Sequence, residues 1–335
     1  MKISTISSAL IIGAAGALLA ACSGLQPPIG APGAMPQALF PESSGEDLLY
    51  VAHEYSQNIS VYSYPTGTLV GSISDAPYNA EGDCVDASGN VYIVNFDTMS
   101  EQPGNVEEFA HGGTSPLRTF AWPHAFLSGC AVDPVTGNLA VTIMEEHPKG
   151  YGGVLVYADA TGSPTEYGDS KMGDYAYCSY DNAGNLFIDG VNRKTGNYEL
   201  AELPYGQKKL INISLSKHLQ KLLTPGGVQW DGKYLVLGNA RTVRGDRVRF
   251  GVYQVEISGS VAKVVGVTLL KGSHNVRNFQ YWIYGSTIIS PFGRRSTKFG
   301  FWTYPQGDLT LSVLDTQGPW ALTVSPATSP HKFSR

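Results

Sequence analysis

The sequence predicts an all-β fold in which six units of four antiparallel strands close into a ring, the first unit being completed by the C-terminal strand. Three observations carry this expectation. A short acid–turn–strand motif recurs along the chain, its spacing stays close to fifty residues, and the first unit lacks an inner strand that the C-terminus can supply. A fixed period of that size, with four short strands per unit, is the signature of a six-bladed β-propeller.

The motif is first met as DASGNVYIVN (Asp86–Asn95) and returns as DPVTGNLAVTI (Asp133–Ile143) and DNAGNLFIDG (Asp181–Gly190). A shorter copy follows in VQWDGKYLVLGN, a degenerate one at Phe279–Ser290 with Trp282 in the anchor position, and a last one at Trp320–Ala327 with Ser325 in place of Asp. The steps between anchors are 47, 48, 50, 51 and 43 residues. In each unit an inner strand ends at the anchor and a tight turn leads to a second strand. A polar loop then leads to a third strand (NVEEFA, GVLVYA, NYELAEL, FGVYQVEI, FGFWTY), and a Gly-containing turn to an outermost one. The run DLLYVAHEY starts without an inner strand, and the lone strand ALTVSP near the C-terminus fills that position. Closure of this kind leaves no sheet edge free. Composition agrees: charged residues are 15%, Gly numbers 39, and only ISLSKHLQKLL (Ile213–Leu223) hints at a short helix.

A calcium loop needs several oxygen donors at alternate positions and a closing Glu. DASGN offers one Asp and one Asn before turning apolar, so a tight turn explains it, with Gly taking the positive φ. The repeated motif is scaffold.

The first residues have a different character. Lys2, the apolar run Ala9–Ala21 and Cys22 follow the plan of a secretory signal, too short for a transmembrane helix. LAAC (Leu19–Cys22) resembles the lipobox of bacterial lipoproteins, which implies acylation of Cys22 and anchoring in the cell envelope. Ser23 after it, in place of Asp, implies outer- rather than inner-membrane retention, which in a Gram-negative cell means the outer membrane or periplasm. The expected organisation is a signal peptide at 1–21, a Pro/Gly-rich flexible tether at 22–45, the propeller at 46–326 and a short tail at 327–335. The blade motif itself resembles NHL-repeat and related six-bladed propellers, an architecture that hosts enzymes, ligand binders and scaffolds alike.

Three cysteines remain after Cys22. Cys130 and Cys178 lie three residues before their anchors, Cys84 two before its own. One residue of offset reverses the facing in a strand, so buried thiols and no disulfide are expected, with a single bridge as the alternative.

Chemistry in a propeller gathers where the strand-two-to-three loops and the approaches to the inner strands surround the channel. Those positions hold His53, Glu54, Asn95, Glu145, Asp189, Asn239 and Ser290, with Glu81, Asp83, His124, Asp174, His274 and Arg277 on the approaches. Six-bladed enzymes of the gluconolactonase and senescence-marker type use a Glu/Asn/Asp set to hold a divalent metal. That resemblance implies Glu54, Asn95, Asp189 and Asn239 as counterparts and Ca, Mg or Zn as cofactor. The early E-G-P motif of those enzymes is absent: Glu54 sits in HEYSQN.

Charge is distributed unevenly behind a net −5. Between Lys2 and Arg118 there is no Lys or Arg against twelve Asp and Glu, whereas Arg241–Lys298 carries ten Lys and Arg against Asp246 and Glu256. Most of these cations fall in ARTVRGDRVRF and PFGRRSTKF. Arg241, Arg244, Arg277, Arg294 and Arg295 are therefore the candidates for binding an anionic glycan or an acidic envelope protein through paired N–H donors. Nucleic acid is not an expected partner, and the chain is expected to be a monomer. The function expected is a lipid-anchored binding or scaffold module; the alternative is a metal-dependent lactonase- or lyase-like enzyme.

Overall fold

The computed structural model describes Phe40, 45–53, Ser56, 58–74, 80–96, 104–146, 148–169, 171–216, 224–244, 247–273, 280–292 and 297–327, with the side chains of 239–249 left aside. The expected signal peptide, Cys22, nearly all of the tether and the centre of the helical hint at Ile213–Leu223 lie outside these residues. The chain divides into two units, Met1–Pro36 and Gln37–Arg335, and the described residues all belong to the second.

These residues form six four-stranded antiparallel sheets. Blade 1 contains β1 (Leu48–His53), β2 (Ile59–Ser63) and β3 (Thr68–Ile73); blade 2 contains β4 (Ala80–Val85), β5 (Val91–Asn95), β6 (Gly104–Phe109) and β7 (Pro116–Trp122). Blade 3 runs through β8 (Ala125–Val132), β9 (Leu139–Glu146), β10 (Tyr151–Tyr157) and β11 (Thr165–Tyr167). Blade 4 follows with β12 (Met172–Tyr180), β13 (Leu186–Asn192), β14 (Tyr198–Leu203) and β15 (Ile211–Ile213). Blade 5 is β16 (Val228–Trp230), β17 (Leu235–Arg244), β18 (Arg247–Ser258) and β19 (Val261–Leu269). Blade 6 is β20 (Trp282–Tyr284), β21 (Thr287–Phe292), β22 (Lys298–Thr303) and β23 (Leu309–Leu314), after which β24 (Pro319–Ser325) returns to blade 1.

The order β24-β1-β2-β3 is the closure expected from the sequence. Leu48 pairs with Ser325, Tyr50 with Thr323 and Ala52 with Ala321. Both ends of the chain thereby build one sheet, and no inner strand is left without a neighbour.

Packing follows from alternation along each strand. The middle strands are buried on both faces, as in β1 and β5, while outer strands such as β3 and β7 are mostly exposed. Successive residues of a buried strand contact the preceding and the following blade in turn. The core therefore divides into six apolar layers, one between each pair of neighbouring blades. Polar latches cross the same gaps. At the seam of blades 6 and 1, His53 Nε2 lies 3.0 Å from Asp315 Oδ2, to which the Tyr62 hydroxyl donates at 2.8 Å. Between blades 5 and 6, Gln229 binds both the N–H and the carbonyl of Ile283, at 2.6 and 2.8 Å.

The recurrent motif is a turn. Asp86 Oδ1 accepts from the N–H groups of Ser88 and Asn90 at 2.8 and 2.9 Å, and Asn90 Nδ2 donates to Asp86 Oδ2. Asp181 repeats the pattern with Ala183 and Asn185. Gly89 and Gly184 supply the left-handed residue at φ 84° and 81°. In the fifth copy Tyr284 pairs directly with Thr287, so the turn falls at Gly285–Ser286, three residues past Trp282. Within the stretch expected to be tether, Phe40 is seated. It is 9% exposed, its N–H donates to the Gly112 carbonyl, and a Cβ at Gly71 would strike its ring.

The expectation of no disulfide is overturned: Cys84 and Cys130 are bridged, with Cα atoms 5.7 Å apart. Their opposite facing, taken as separation, is what the bridge requires. A side chain of blade 2 that meets blade 3 must have the opposite parity from the side chain of blade 3 that meets blade 2. Both cysteines lie in the layer between those blades, with Tyr92 and Leu139. Close approach of the inner strands completes the geometry, since a Cβ at Gly82 would run into the backbone of Ser128 and Gly129. Cys178 has the parity of Cys130, belongs to the next layer, and is free and buried.

The bridge spans a sequence separation of 46 residues, for which chain-entropy reasoning gives a stabilisation of about 2–4 kcal/mol. Cys84→Ser/Cys130→Ser is expected to lose about that amount in urea unfolding. Peptide mapping without reduction should recover a linked Cys84–Cys130 pair. A double variant as stable as the wild type would contradict this.

Candidate functional site

The channel is enclosed by β4, β8, β12, β16, β20 and β24. Gln280, just before β20, reaches β4: its Oε1 accepts from the Asp83 N–H at 2.9 Å and its Nε2 donates to the Asp83 carbonyl. Blades 6 and 2 are not neighbours in the ring, so this pair reaches past the inner strand of blade 1. Below it a cavity of about 190 Å³ is lined by the ends of the inner strands, including the Cys84–Cys130 bridge, Tyr177 and Gln280.

The sequence-derived site residues fare unequally. His53 is fully buried and serves as the seam latch; its Nδ1 lies 2.8 Å from the Asn58 carbonyl. Asn95 closes β5, where its Nδ2 donates to Asn105 Oδ1 at 2.7 Å. Asp189 was expected in a loop but stands inside β13, which runs on to Asn192. Its side chain is turned into the gap between blades 4 and 5, where its two oxygens accept from the N–H groups of Tyr177 and Gly226 at 2.9 and 3.1 Å. Glu54, Arg277, Arg294 and Arg295 lie outside the described residues, as do the side chains of Asn239, Arg241 and Arg244. Of the metal-binding set implied by the gluconolactonase resemblance, the two described side chains are thus held by protein groups on different blades. Among the described residues no group of three His, Cys, Asp or Glu is placed to hold a metal ion.

Several carboxyls on or beside the inner strands are buried or partly buried. Burial raises Asp83 well above the usual carboxylate range, and both its oxygens are buried without a hydrogen-bond partner. Burial pushes Asp189 up to about 7 against the opposing pull of its two backbone donors. Burial, reinforced by Glu145, raises Asp174. Glu81 is engaged by the Trp320 indole N–H at 2.8 Å. Ring stacking of Phe96 on Phe126, with centroids 4.7 Å apart, adds an aromatic surface beside β5 and β8.

The basic segment takes an unexpected form. ARTVRGDRVRF was expected as a loop, but most of it is strand. β16 pairs with β17 only over Leu235–Leu237, and β18 pairs with β19 only from Gly251 onward. Beyond these limits the described residues of the two strands face each other: Arg241 opposite Phe250, Thr242 opposite Arg249, Arg244 opposite Arg247, with the Phe250 carbonyl still accepting from the Leu270 N–H. Blade 5 therefore extends a two-stranded ribbon past its own sheet, and the ribbon carries four arginines at Arg241, Arg244, Arg247 and Arg249.

Features that the repeat pattern did not bring out are the Gln280–Asp83 clasp and a groove between blades 4 and 5. The groove has a volume of about 640 Å³ and is lined by residues from both blades, among them Glu202 and Trp230.

No protein-family model and no curated protein sequence matches the chain. Solved structures do resemble it in fold. A chain of a nidogen/laminin complex superposes with a TM-score of 0.61 at 14% identity, covering 84% of this chain and 100% of that one. A Bacteroides caccae protein of unknown function gives 0.59 at 12% identity, covering 84% and 99%. TolB from Acinetobacter baumannii gives 0.51 at 12% identity, covering 85% and 67%. At these identities the likeness establishes the six-bladed propeller alone, a fold consistent with a binding or scaffold module.

The raised carboxyls set a pH dependence. A carboxyl with a higher pKa folded than unfolded binds its proton more tightly in the fold, so it favours folding at low pH and loses that contribution as pH rises through the folded value. For Asp189 the window runs from about 4 to about 7. The thermal midpoint is expected to fall as pH is raised across the upper part of that window, and Asp189→Asn to flatten the slope. A midpoint that rises there would contradict the assignment.

Proposed function

We propose that the chain is a lipid-anchored binding module of the bacterial cell envelope that presents a basic edge to an anionic envelope partner. Cys22 carries the lipid after removal of 1–21, the Pro/Gly-rich stretch spans the distance from the membrane, and the propeller displays the ligand-binding loops. One observation carries the binding part: β17 and β18 stay paired past the ladders to β16 and β19, and that paired extension carries four arginines. The paired ends of β17 and β18 place four arginines within nine residues of one hairpin, and arginine forks suit carboxylate, phosphate and sulfate groups. Arg294 and Arg295, in the second basic segment PFGRRSTKF, complete the set of candidates. The fold supports such a role, since one similar propeller belongs to a complex of nidogen with laminin. The engagement of both Asp189 oxygens by backbone N–H groups favours binding over lactonase-like metal chemistry.

Retention on immobilised lipopolysaccharide and on an anionic glycan matrix tests this. Wild-type protein should elute with a steep dependence on salt, and Arg241/Arg244/Arg294/Arg295→Ala should bind at least about tenfold more weakly with a shallower dependence. Unchanged retention would remove the basis of the proposal. Labelled palmitate should enter the wild type and not Cys22→Ser.

A further inference from the structure

The repeat provides an internal comparison. In blade 2 the turn residues Asp86 and Asn90 are followed by Tyr92, which pairs with Glu108, which in turn pairs with Arg118 on the outer strand. Blade 4 has the same register: Asp181 and Asn185, then Phe187 opposite Glu202, and Glu202 opposite Ile211. Acid, amide, aromatic ring and glutamate are matched position for position. The outer-strand cation is not.

In blade 2 that cation fills the gap to blade 3. Arg118 Nε lies 2.8 Å from Glu108 Oε2, and its Nη1 donates to the Ala160 carbonyl of blade 3 at 2.8 Å. Asn90 Nδ2 donates to the same glutamate at 3.2 Å, and the remaining cavity is about 270 Å³. Between blades 4 and 5, Ile211 stands where Arg118 would be and is 44% exposed. The cavity there is about 640 Å³, within the range of small-ligand pockets. Glu202 has no ion pair among the described residues. Glu256 adds a second carboxylate from blade 5, and Trp230 and Tyr234 add aromatic wall, the Trp230 indole N–H being buried and without a partner. The groove's own cation, Lys233, is exposed and lies 4.7 Å from the centre of the Tyr234 ring. The glutamate socket that holds a guanidinium between blades 2 and 3 is therefore present between blades 4 and 5 without one.

We propose that the groove between blades 4 and 5 binds a guanidinium group brought by a ligand, in the position that Arg118 occupies between blades 2 and 3. Glu202 is its carboxylate partner, with Glu256 across the gap and the rings of Trp230 and Tyr234 beside the cation. The site lies at the opposite end of β17 from the arginine ribbon and does not depend on the ribbon's role. Free guanidines and arginine side chains of peptides share this chemistry.

Calorimetric titration of the purified full chain with methylguanidinium and with the tripeptide Gly-Arg-Gly tests the site, Gly-Gln-Gly serving as the neutral control. Saturable binding is expected for a guanidinium probe and none for the control. Equal affinity of the two probes assigns the site to small guanidines, and tighter binding of the tripeptide assigns it to peptide arginine. Glu202→Gln should weaken binding at least tenfold. Ile211→Arg, a change at an exposed position, should block the site from within while leaving the thermal midpoint at or above the wild-type value. Absence of saturation with both probes, or binding unchanged in both variants, would overturn the proposal.

Discussion

Everything in this structure depends on the double-sided burial of the middle strands. LLYVAH in β1 and VYIVN in β5 have no solvent face, so a blade cannot cover its own apolar surface and needs a neighbour on each side. Burial of each such Val, Leu or Ile side chain is worth about 1.5–3 kcal/mol, and that gain is available in full only if the ring closes. β24 makes the closure, setting Leu322 and Val324 against blade 6 while pairing with β1. The seam is reinforced by the His53–Asp315–Tyr62 cluster. Burial alone would raise the Asp315 carboxyl, but hydrogen bonds from His53, Gln317 and Tyr62 bring it below its ordinary value.

What could be read from the sequence was whatever is local or periodic. Anchor turns, strand order and the orphaned C-terminal strand depend on residues near one another or at a fixed period, and all are found. What could not be read involves two blades at once. The parity of Cys84 and Cys130 was visible, but its meaning changes when strands face each other across a gap and do not lie within one sheet. Asp189 looks like a loop residue because β13 continues through a glycine, Gly190, to Asn192. The arginine segment looks like a loop because it is charged, yet its alternation with Val and Thr lets two strands pair without a third.

The groove between blades 4 and 5 was hidden for a similar reason. Its residues come from separate hairpins of two blades, and no short motif joins them. The correspondence of Asn90, Glu108 and Arg118 with Asn185, Glu202 and Ile211 is present in the sequence but becomes meaningful only once the register is known. The ring holds its strands rigidly and leaves their ends to vary. Blade 5 carries both consequences, an arginine ribbon at one end of β17 and the acidic, aromatic groove at the other.

Closure by the C-terminal strand holds the ring together. The most direct measurement is thermal and urea unfolding of a chain ending at Gln317, which lacks β24 and keeps the other strands. Loss of the cooperative transition, with exposed apolar surface reported by dye binding, is the expected result. A shortened chain that unfolds cooperatively at the midpoint of the full-length protein would contradict it.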